Sequence, residues 1–252
     1  MFSLLQAKLL SAVIIFVLTL IAGYYPFYKR YQSLHDNEFP LAEGFACGVF
    51  LGAGLIHMLG DAAQQFEQAD AHYPWAFLIA GMVFLLLYFL EEAGRYYQRH
   101  QTSEHIVFAV LATVMLSIHS LLEGAALGLS GGFLMAGLIF IAIIAHKWAA
   151  GFALAIHINK SPLHLSKRAG LFLWFALMTP LGIWLGNSIH TDLSNNLWLE
   201  PILSAMAAGT FIYLGTVHGL RHRTVATAHR LFLHLLLVAS GFSLMAIVAL
   251  WT

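Results

Sequence analysis

The sequence predicts an all-α integral membrane protein with eight transmembrane helices. Of its 252 residues, 60% are hydrophobic and only 10% are charged, whereas a soluble domain typically contains about 25% charged residues. The mean hydropathy is +0.78. Apolar runs of about 20 residues, the length at which a helix crosses a bilayer, recur along the chain. These runs are too long for the strands of a membrane β-barrel and do not alternate as such strands do.

Eight apolar segments predict the eight spans, and short connections separate them. The segments cover residues 4–27, 41–61, 74–94, 105–129, 133–157, 167–190, 198–218 and 229–251. We therefore expect a single transmembrane domain over residues 1–252. The formal net charge is zero and no basic tract indicates nucleic-acid binding. The single cysteine, Cys47, excludes an internal disulfide and a zinc cluster built from cysteines.

The basic residues predict the orientation of the chain in the membrane. Ten of the twelve lie in or beside the loops after segments one, three, five and seven: Lys29, Arg30, Arg95, Arg99, Lys160, Lys167, Arg168, Arg221, Arg223 and Arg230. The loops after segments two, four and six contain none. By the positive-inside rule the four basic loops are cytoplasmic, and both termini are outside. The remaining two basic residues are Lys8, near the outer end of segment one, and Lys147, inside segment five.

Segment two carries a polar pair near its outer end. The stretch GLIHMLGDA places His57 and Asp61 four residues apart, on one face of a helix. Two interpretations stay open for this pair: outer ligands for a cation, or an interfacial ion pair at the membrane edge.

Segment four carries ionisable groups inside a long apolar run, SIHSLLEGAALG. His119 and Glu123 are four residues apart and share one face, and Ser120 lies about 100° around the helix from His119. Burying such groups away from water is costly unless a partner satisfies them. The sequence therefore predicts a partner for His119 and Glu123.

Segment five supplies a candidate partner in the stretch IIAHKWAAG, which places His146 and Lys147 near mid-membrane. The short link around residues 130–132 makes segments four and five antiparallel neighbours and puts His119 and His146 at similar depth. Imidazole nitrogens and carboxylate oxygens are ligands that zinc and similar divalent metals accept. We therefore predict one metal site formed by His119, Glu123 and His146.

Simpler interpretations stay open for the individual residues. A lone intramembrane histidine more often makes a hydrogen bond between helices, and Glu123 with Lys147 alone could form a buried ion pair. In segment seven, GTFIYLGTVHG brings His218 to the cytoplasmic end. This histidine, with His222, His229 and His234, is typical of solvated or capping residues near a basic surface. The convergence of several ligand types on adjacent spans favours the metal site.

These motifs resemble the ZIP (Zrt/Irt-like) family of divalent-metal transporters over most of the chain. The family's fourth-span motif, H-(N/S)-x-x-E-G, reads HSLLEG from His119 to Gly124, and the fifth-span H-K motif of one branch reads His146-Lys147. The second-span pattern reads GVFLGAGLIH and ends at His57, and the seventh-span pattern reads GTFIY. Each motif alone is weak, and the four together are specific.

The resemblance implies a 3+2+3 arrangement of spans, with inverted repeats formed by the first three and the last three, and a homodimer. It also implies that His57 contributes to the metal site from the second span, and that Asp61 stands where an acidic residue is common. His218 stands where the seventh span often has a glutamate.

The fifth span departs from the pattern of many ZIP members. A second carboxylate is common one turn after the histidine, and here that position is Ala150. Lys147 takes the place of a ligand to a second ion. We therefore expect Lys147 to be a built-in cation that pairs with Glu123 and substitutes for a second metal, with Ser120 peripheral to the site.

The expected function is transport of a divalent metal, above all Zn²⁺, into the cytoplasm, with Cd²⁺, Fe²⁺ and Mn²⁺ as further candidate substrates. Metal would enter past Asp61 and His57 and leave near His218. No cofactor is expected, and the compact loops indicate a bacterial inner membrane. Two alternatives remain: an intramembrane zinc metallohydrolase, although no base stands apart from the ligands, and a carrier or scaffold with a structural Glu123–Lys147 pair.

Overall fold

The computed structural model describes residues 3–28, 40–70, 72–98, 104–193, 198–218 and 228–250, and the regular secondary structure within these ranges is entirely helical. The helices, numbered in chain order, are α1, Leu4–Tyr28; α2, made of Pro40–Gly52, Ala53–Met58 and Leu59–Gln68; α3, Trp75–Gln98; α4, Glu104–Leu129; α5, Phe133–Lys160; α6, Leu165–Leu193; α7, made of Leu199–Tyr213 and Leu214–His218; and α8, Ala228–Val248. The prediction of an all-α fold is confirmed.

The predicted apolar segments each fall on one of these helices. Within the described ranges, seven helices are long and apolar enough to cross a membrane, and the apolar stretch of α7, Pro201–Val217, is shorter. The helix ends differ from the prediction: α2 continues to Gln68 rather than ending at residue 61, and α6 runs from Leu165 to Leu193 rather than 167–190. Hydropathy marks the part of a helix that lies in hydrocarbon, whereas backbone hydrogen bonding continues through the polar turns beyond it.

Among the described residues, α2 and α7 each contain a turn of π-helix within the stretch that carries their motif. In α2 this turn is Ala53–Met58, and in α7 it is Leu214–His218. A π-turn rotates the side chains that follow it relative to a continuous α-helix, and such turns occur often at functional sites. His57 lies within the first of these turns. The order of apolar and polar residues in the sequence does not predict either π-turn.

The chain forms two compact units, of which the first contains α1, α4, α5 and α6. All four helices contribute to its apolar core, which is made of Ala12, Ile15, Leu127, Ala136, Ile143 and Ile183. The most extensive helix contact in this unit is between α4 and α6. This unit therefore holds both of the helices on which the sequence places the candidate metal ligands.

Glycines bring α4 and α6 into backbone contact. Gly124 and Gly128 on α4 face Gly182 and Gly186 on α6. A Cβ atom at Gly182 would overlap the carbonyl oxygen of Leu121, and the other three positions are equally closed by backbone oxygens of the facing helix. Small residues four apart on both partners are the usual means of close helix packing in membranes. The packing fixes the position of α4, which carries two candidate ligands.

The second unit contains α2, α7, α8 and α3 up to Ala93. Gly48 of α2 lies against the backbone of Val238 in α8, and Gly241 of α8 lies against the carbonyl oxygen of Phe45. Aromatic pairs join α7 to its neighbours, with Phe211 packed on Phe50 at a centroid distance of 5.1 Å. Small residues thus allow close helix approach in this unit as well.

Lys8 and Arg168 are buried in the first unit, which sequence analysis did not predict. Lys8 of α1 donates hydrogen bonds from Nζ to the carbonyl oxygen of Gly128 at 2.6 Å and to Oδ1 of Asn187 at 3.4 Å. Arg168 was counted with the basic residues in or beside the loop after segment five, but in α6 it is fully buried and donates to Oδ1 of Asn159 at 2.9 Å. These cations bind neighbouring helices, because buried donors require acceptors.

Candidate metal centre

The structure brings His119, Glu123 and His146 together. The first two lie one helical turn apart on α4, and the third lies on α5. Each offers one ligand atom, and these atoms all lie within 4.8 Å of one another. The side chains of His119 and His146 are only 2% and 1% exposed. Within the described ranges, this is the one group of three or more His, Cys, Asp or Glu residues with such geometry.

Both imidazoles approach the same oxygen of the carboxylate. Nε2 of His119 lies 2.7 Å from Oε1 of Glu123, and Nε2 of His146 contacts the same atom. The centroids of the two rings are 5.8 Å apart. The other oxygen, Oε2, is buried and has no hydrogen-bond partner among the described residues. Both imidazole nitrogens thus lie against one carboxylate oxygen, and the other oxygen accepts no hydrogen bond from the described residues.

This donor set matches the chemistry of a borderline divalent cation. Zinc binds imidazole nitrogen and carboxylate oxygen at about 2.0–2.2 Å, which places tetrahedral ligand atoms about 3.3 Å apart. The three candidate ligand atoms are close enough for small rotations to reach that spacing. A dication would also balance the charge of a carboxylate in a region with almost no water.

Lys147 does not form the ion pair with Glu123 that the sequence predicted. Its ammonium donates to Oγ of Ser120 at 2.5 Å and lies 4.6 Å above the ring centroid of Phe175. Lys147 is fully buried, and a lysine side chain on one helix can reach a hydroxyl or a ring on a neighbour as readily as a carboxylate. Spacing along the chain therefore could not select its partner.

Ser120 and Phe175 are site neighbours whose roles sequence reasoning missed. Ser120 was expected to be peripheral, yet it is buried and accepts the hydrogen bond of Lys147. Phe175 lies in LFLWFALMTP of α6, and nothing in that apolar run distinguishes it from neighbouring aromatic residues. Ala150, one turn after His146, is buried and supplies no carboxylate.

His57 and Asp61 form a pair in the second unit. Nδ1 of His57 lies 3.0 Å from Oδ2 of Asp61, and the side chains are 15% and 41% exposed. The pairing that the spacing predicted is therefore present, although His57 belongs to the π-turn and Asp61 to the α-helical segment after it. The partly exposed carboxylate is accessible to a cation.

The histidines predicted near the cytoplasmic surface are only partly described. The backbone of His218 ends the π-turn of α7, and its side chain lies outside the described residues, as do the side chains of His222 and His229. His234 was expected to be a solvated or capping residue, and its ring is half-buried and lies against Gly44 of α2. The absence of a side chain at Gly44 makes room for the imidazole.

Comparison with known proteins gives the same family as the motifs. The model of the ZIP zinc transporter family matches residues 5–105 and 98–249. The mouse zinc transporter ZIP2 is 26% identical over 306 aligned positions, covering 98% of this chain and 99% of that protein. The human zinc transporter ZIP1 is 26% identical, covering 96% and 90%. Zinc transporter 11 of Arabidopsis thaliana is 28% identical, covering 99% and 86%.

The matches extend over nearly the whole chain and over most of each relative, so they include all of the helices described above. Together with the all-α membrane fold, they show that this chain belongs to the ZIP zinc transporter family.

Proposed function

We propose that this protein transports a divalent metal, above all Zn²⁺, into the cytoplasm, and that His119, Glu123 and His146 bind the metal in mid-membrane. The observation that carries the proposal is the buried convergence of two imidazoles and one carboxylate from two neighbouring helices. The names of the relatives, which are zinc transporters, support the same substrate class. They also favour transport over the metallohydrolase alternative.

The proposed ligand set suits capture followed by release. Two imidazoles and one carboxylate bind zinc without thiolates, which would hold the metal more tightly. Open coordination positions remain for water or for a further ligand on either side of the site. We propose that two conformations expose the site alternately to the outer and the inner surface, the general logic of secondary transporters with midplane sites.

The donor atoms of the site themselves make zinc the first candidate substrate. Imidazole nitrogen favours borderline metals over Mg²⁺ and Ca²⁺, which prefer sites made of oxygen ligands alone. Cd²⁺, Fe²⁺ and Mn²⁺ accept the same donors and are included as proposed substrates of lower rank. Selection among them depends on coordination geometry rather than on donor type alone.

Uptake into sealed vesicles tests this function directly. Purified protein in proteoliposomes is expected to give saturable Zn²⁺ uptake that exceeds that of empty liposomes, with Cd²⁺, Fe²⁺ and Mn²⁺ assayed in parallel. The His119→Ala variant, reconstituted at equal density, should reduce uptake to that of empty liposomes. The absence of any uptake that depends on the protein would contradict the proposal, whereas cleavage of amide or ester substrates would favour the hydrolase.

Asp61 and His57 are proposed to attract metal at the outer entrance. An exposed carboxylate raises the local concentration of cations, and this effect is largest at low ionic strength. Asp61→Asn is expected to raise the apparent KM for Zn²⁺ more than it lowers the maximal rate. Glu67→Gln, at an exposed carboxylate further along α2, is the matched control for general surface charge. A KM that is unchanged at low ionic strength would favour an ion pair without a transport role.

The central site is proposed to hold one metal per protomer, because Lys147 places a positive charge beside it. A second dication would be repelled by the first metal and by the ammonium, and Ala150 supplies no additional ligand. Metal analysis of the purified, Zn²⁺-saturated protein should therefore give about one site per chain. Lys147→Ala should retain binding and change the transport rate. Anomalous scattering from two ions within about 5 Å of each other would contradict the proposal.

Three structural expectations stay predictions. They are the homodimer, the location of both termini outside the membrane, and the 3+2+3 arrangement with inverted repeats. The relatives named above are eukaryotic, so the expected bacterial inner membrane also stays a prediction.

A further inference from the structure

We propose that Phe175 and Ser120 are positioning residues that hold the ammonium of Lys147 away from Glu123, so that the carboxylate stays available to the metal. This inference rests on the proposed function of the His119, Glu123 and His146 site. It assigns a role in metal affinity to an aromatic residue whose ring faces the ammonium of Lys147.

The ammonium is held by two other helices of the same unit. Lys147 extends from α5, Ser120 accepts its hydrogen bond from α4, and Phe175 presents the face of its ring from α6. All three residues are buried. An ammonium has three N–H donors, and among the described residues Ser120 is the one hydrogen-bond acceptor for them. The ring of Phe175 therefore supplies a large part of the remaining stabilisation.

Glu123 is the competing partner. It lies three residues from Ser120 on α4, yet no ion pair joins it to Lys147 among the described residues. Oε2 of Glu123 has no hydrogen-bond partner among the described residues. A buried carboxylate and a buried ammonium attract each other strongly in a low dielectric. Separate restraints on the ammonium are therefore needed to keep the two apart.

Phe175 is suited to this restraint because its position is fixed. It is fully buried in α6 and packs against Phe172 at a centroid distance of 6.1 Å. Attraction between a cation and a ring is strongest where water is excluded. Leucine at this position would retain apolar volume and lose the negative face of the ring. The flexible stem of Lys147 would then allow the ammonium to turn toward Glu123.

If the ammonium of Lys147 turned toward Glu123, it would compete directly with the metal for this carboxylate. An ammonium paired with Glu123 would have to be displaced before a dication could use the same carboxylate. Phe175→Leu is therefore expected to weaken Zn²⁺ binding by roughly tenfold, with the same number of sites. Ser120→Ala should weaken binding in the same direction, because it removes the other restraint on the ammonium.

A double-mutant cycle separates this role from simple packing. Zn²⁺ binding to the full-length protein in detergent is measured by calorimetry for wild type, Phe175→Leu, Lys147→Met and the double variant. In the Lys147→Met background, Phe175→Leu should change affinity by less than about twofold. An equal loss in both backgrounds would mean that Phe175 acts by packing, and this result would overturn the proposal.

Two further variants complete the test. Phe175→Tyr keeps the face of the ring and should retain affinity close to wild type. Phe66→Leu, at a buried phenylalanine of α2 in the second unit, is the matched control and should leave affinity unchanged. Failure of wild type to bind Zn²⁺ would count against the proposed function. Normal wild-type binding with full affinity in Phe175→Leu and in Ser120→Ala would count against this inference alone.

Discussion

Replacement of Glu123 by alanine is expected to abolish saturable Zn²⁺ uptake. Glu123 is the one carboxylate of the candidate site, and both imidazoles face its Oε1 atom. Without it a dication would enter a buried position with two neutral ligands and no negative charge, which is unfavourable in a low dielectric. Loss of a residue that only supports a ligand costs about 10–100-fold in metal affinity. Loss of a direct ligand should therefore cost more than about a hundredfold.

Alanine at His119 or His146 is expected to give the same loss, because each removes one of three ligands. Uptake should be measured in proteoliposomes that contain equal amounts of protein, together with the thermal unfolding temperature in detergent. His164→Ala is the matched control, since this exposed histidine lies in the loop between α5 and α6 and should behave as wild type. Wild-type uptake by folded Glu123→Ala protein would show that the central site lies elsewhere.

The residues that sequence analysis placed at the site are those whose position follows from helix geometry. His119 and Glu123 share a face because they are one turn apart, and a short connection between two long apolar helices sets the depth of His146. The contact of His57 with Asp61 follows from the same spacing. These inferences depend on periodicity and on loop length, both of which can be read directly from the sequence.

The partner of Lys147 could not be inferred in this way. A flexible side chain selects among several neighbours at similar distance, and the selection depends on how the helices are rotated and packed. The ring of Phe175 comes from α6, more than twenty residues further along the chain. The periodicity of a sequence gives no information on long-range contacts of this kind. The prediction that Lys147 pairs with Glu123, its most obvious charge partner, was therefore wrong.

The burial of Arg168 and the two π-turns were also not predictable. Arg168 stands among other basic residues at the start of a span, a pattern that usually indicates a solvated loop. Its burial depends on the acceptor provided by Asn159 at the end of α5. The π-turns leave the apolar pattern nearly unchanged, so hydropathy gives no signal for the local backbone.

Replacement of a glycine at the contact between α4 and α6 is expected to have a second large effect, on stability as well as on metal binding. Gly182→Val is expected to destabilise the protein by about 3 kcal/mol or more, because the added atoms would overlap the backbone of α4 and overpacking of this kind is costly. Main-chain atoms cannot change rotamer to make room, so the two helices would have to separate. The expected measurement is a lower unfolding temperature in detergent than for wild type.

The position of the overlap connects this substitution to the metal site. The carbonyl oxygen that a side chain at Gly182 would meet belongs to Leu121, which lies between His119 and Glu123 on α4. Displacement of α4 from α6 would therefore move both residues relative to His146 on α5, and metal binding requires ligand positions accurate to about 0.5 Å. Gly182→Ala, the smaller change, should weaken Zn²⁺ binding even where the protein still folds.

Gly170 provides the matched control on the same helix, because a Cβ atom there would meet nothing within 4 Å. Gly170→Ala should be neutral or stabilising by up to about 1 kcal/mol, since alanine favours helix more than glycine does. A general sensitivity of α6 to glycine replacement would lower the unfolding temperature of both variants. If the cause is close packing against α4, Gly182→Ala should unfold at a lower temperature than Gly170→Ala and should bind Zn²⁺ more weakly. Equal stability and equal affinity of these two variants would show that the contact between the helices does not fix the ligands.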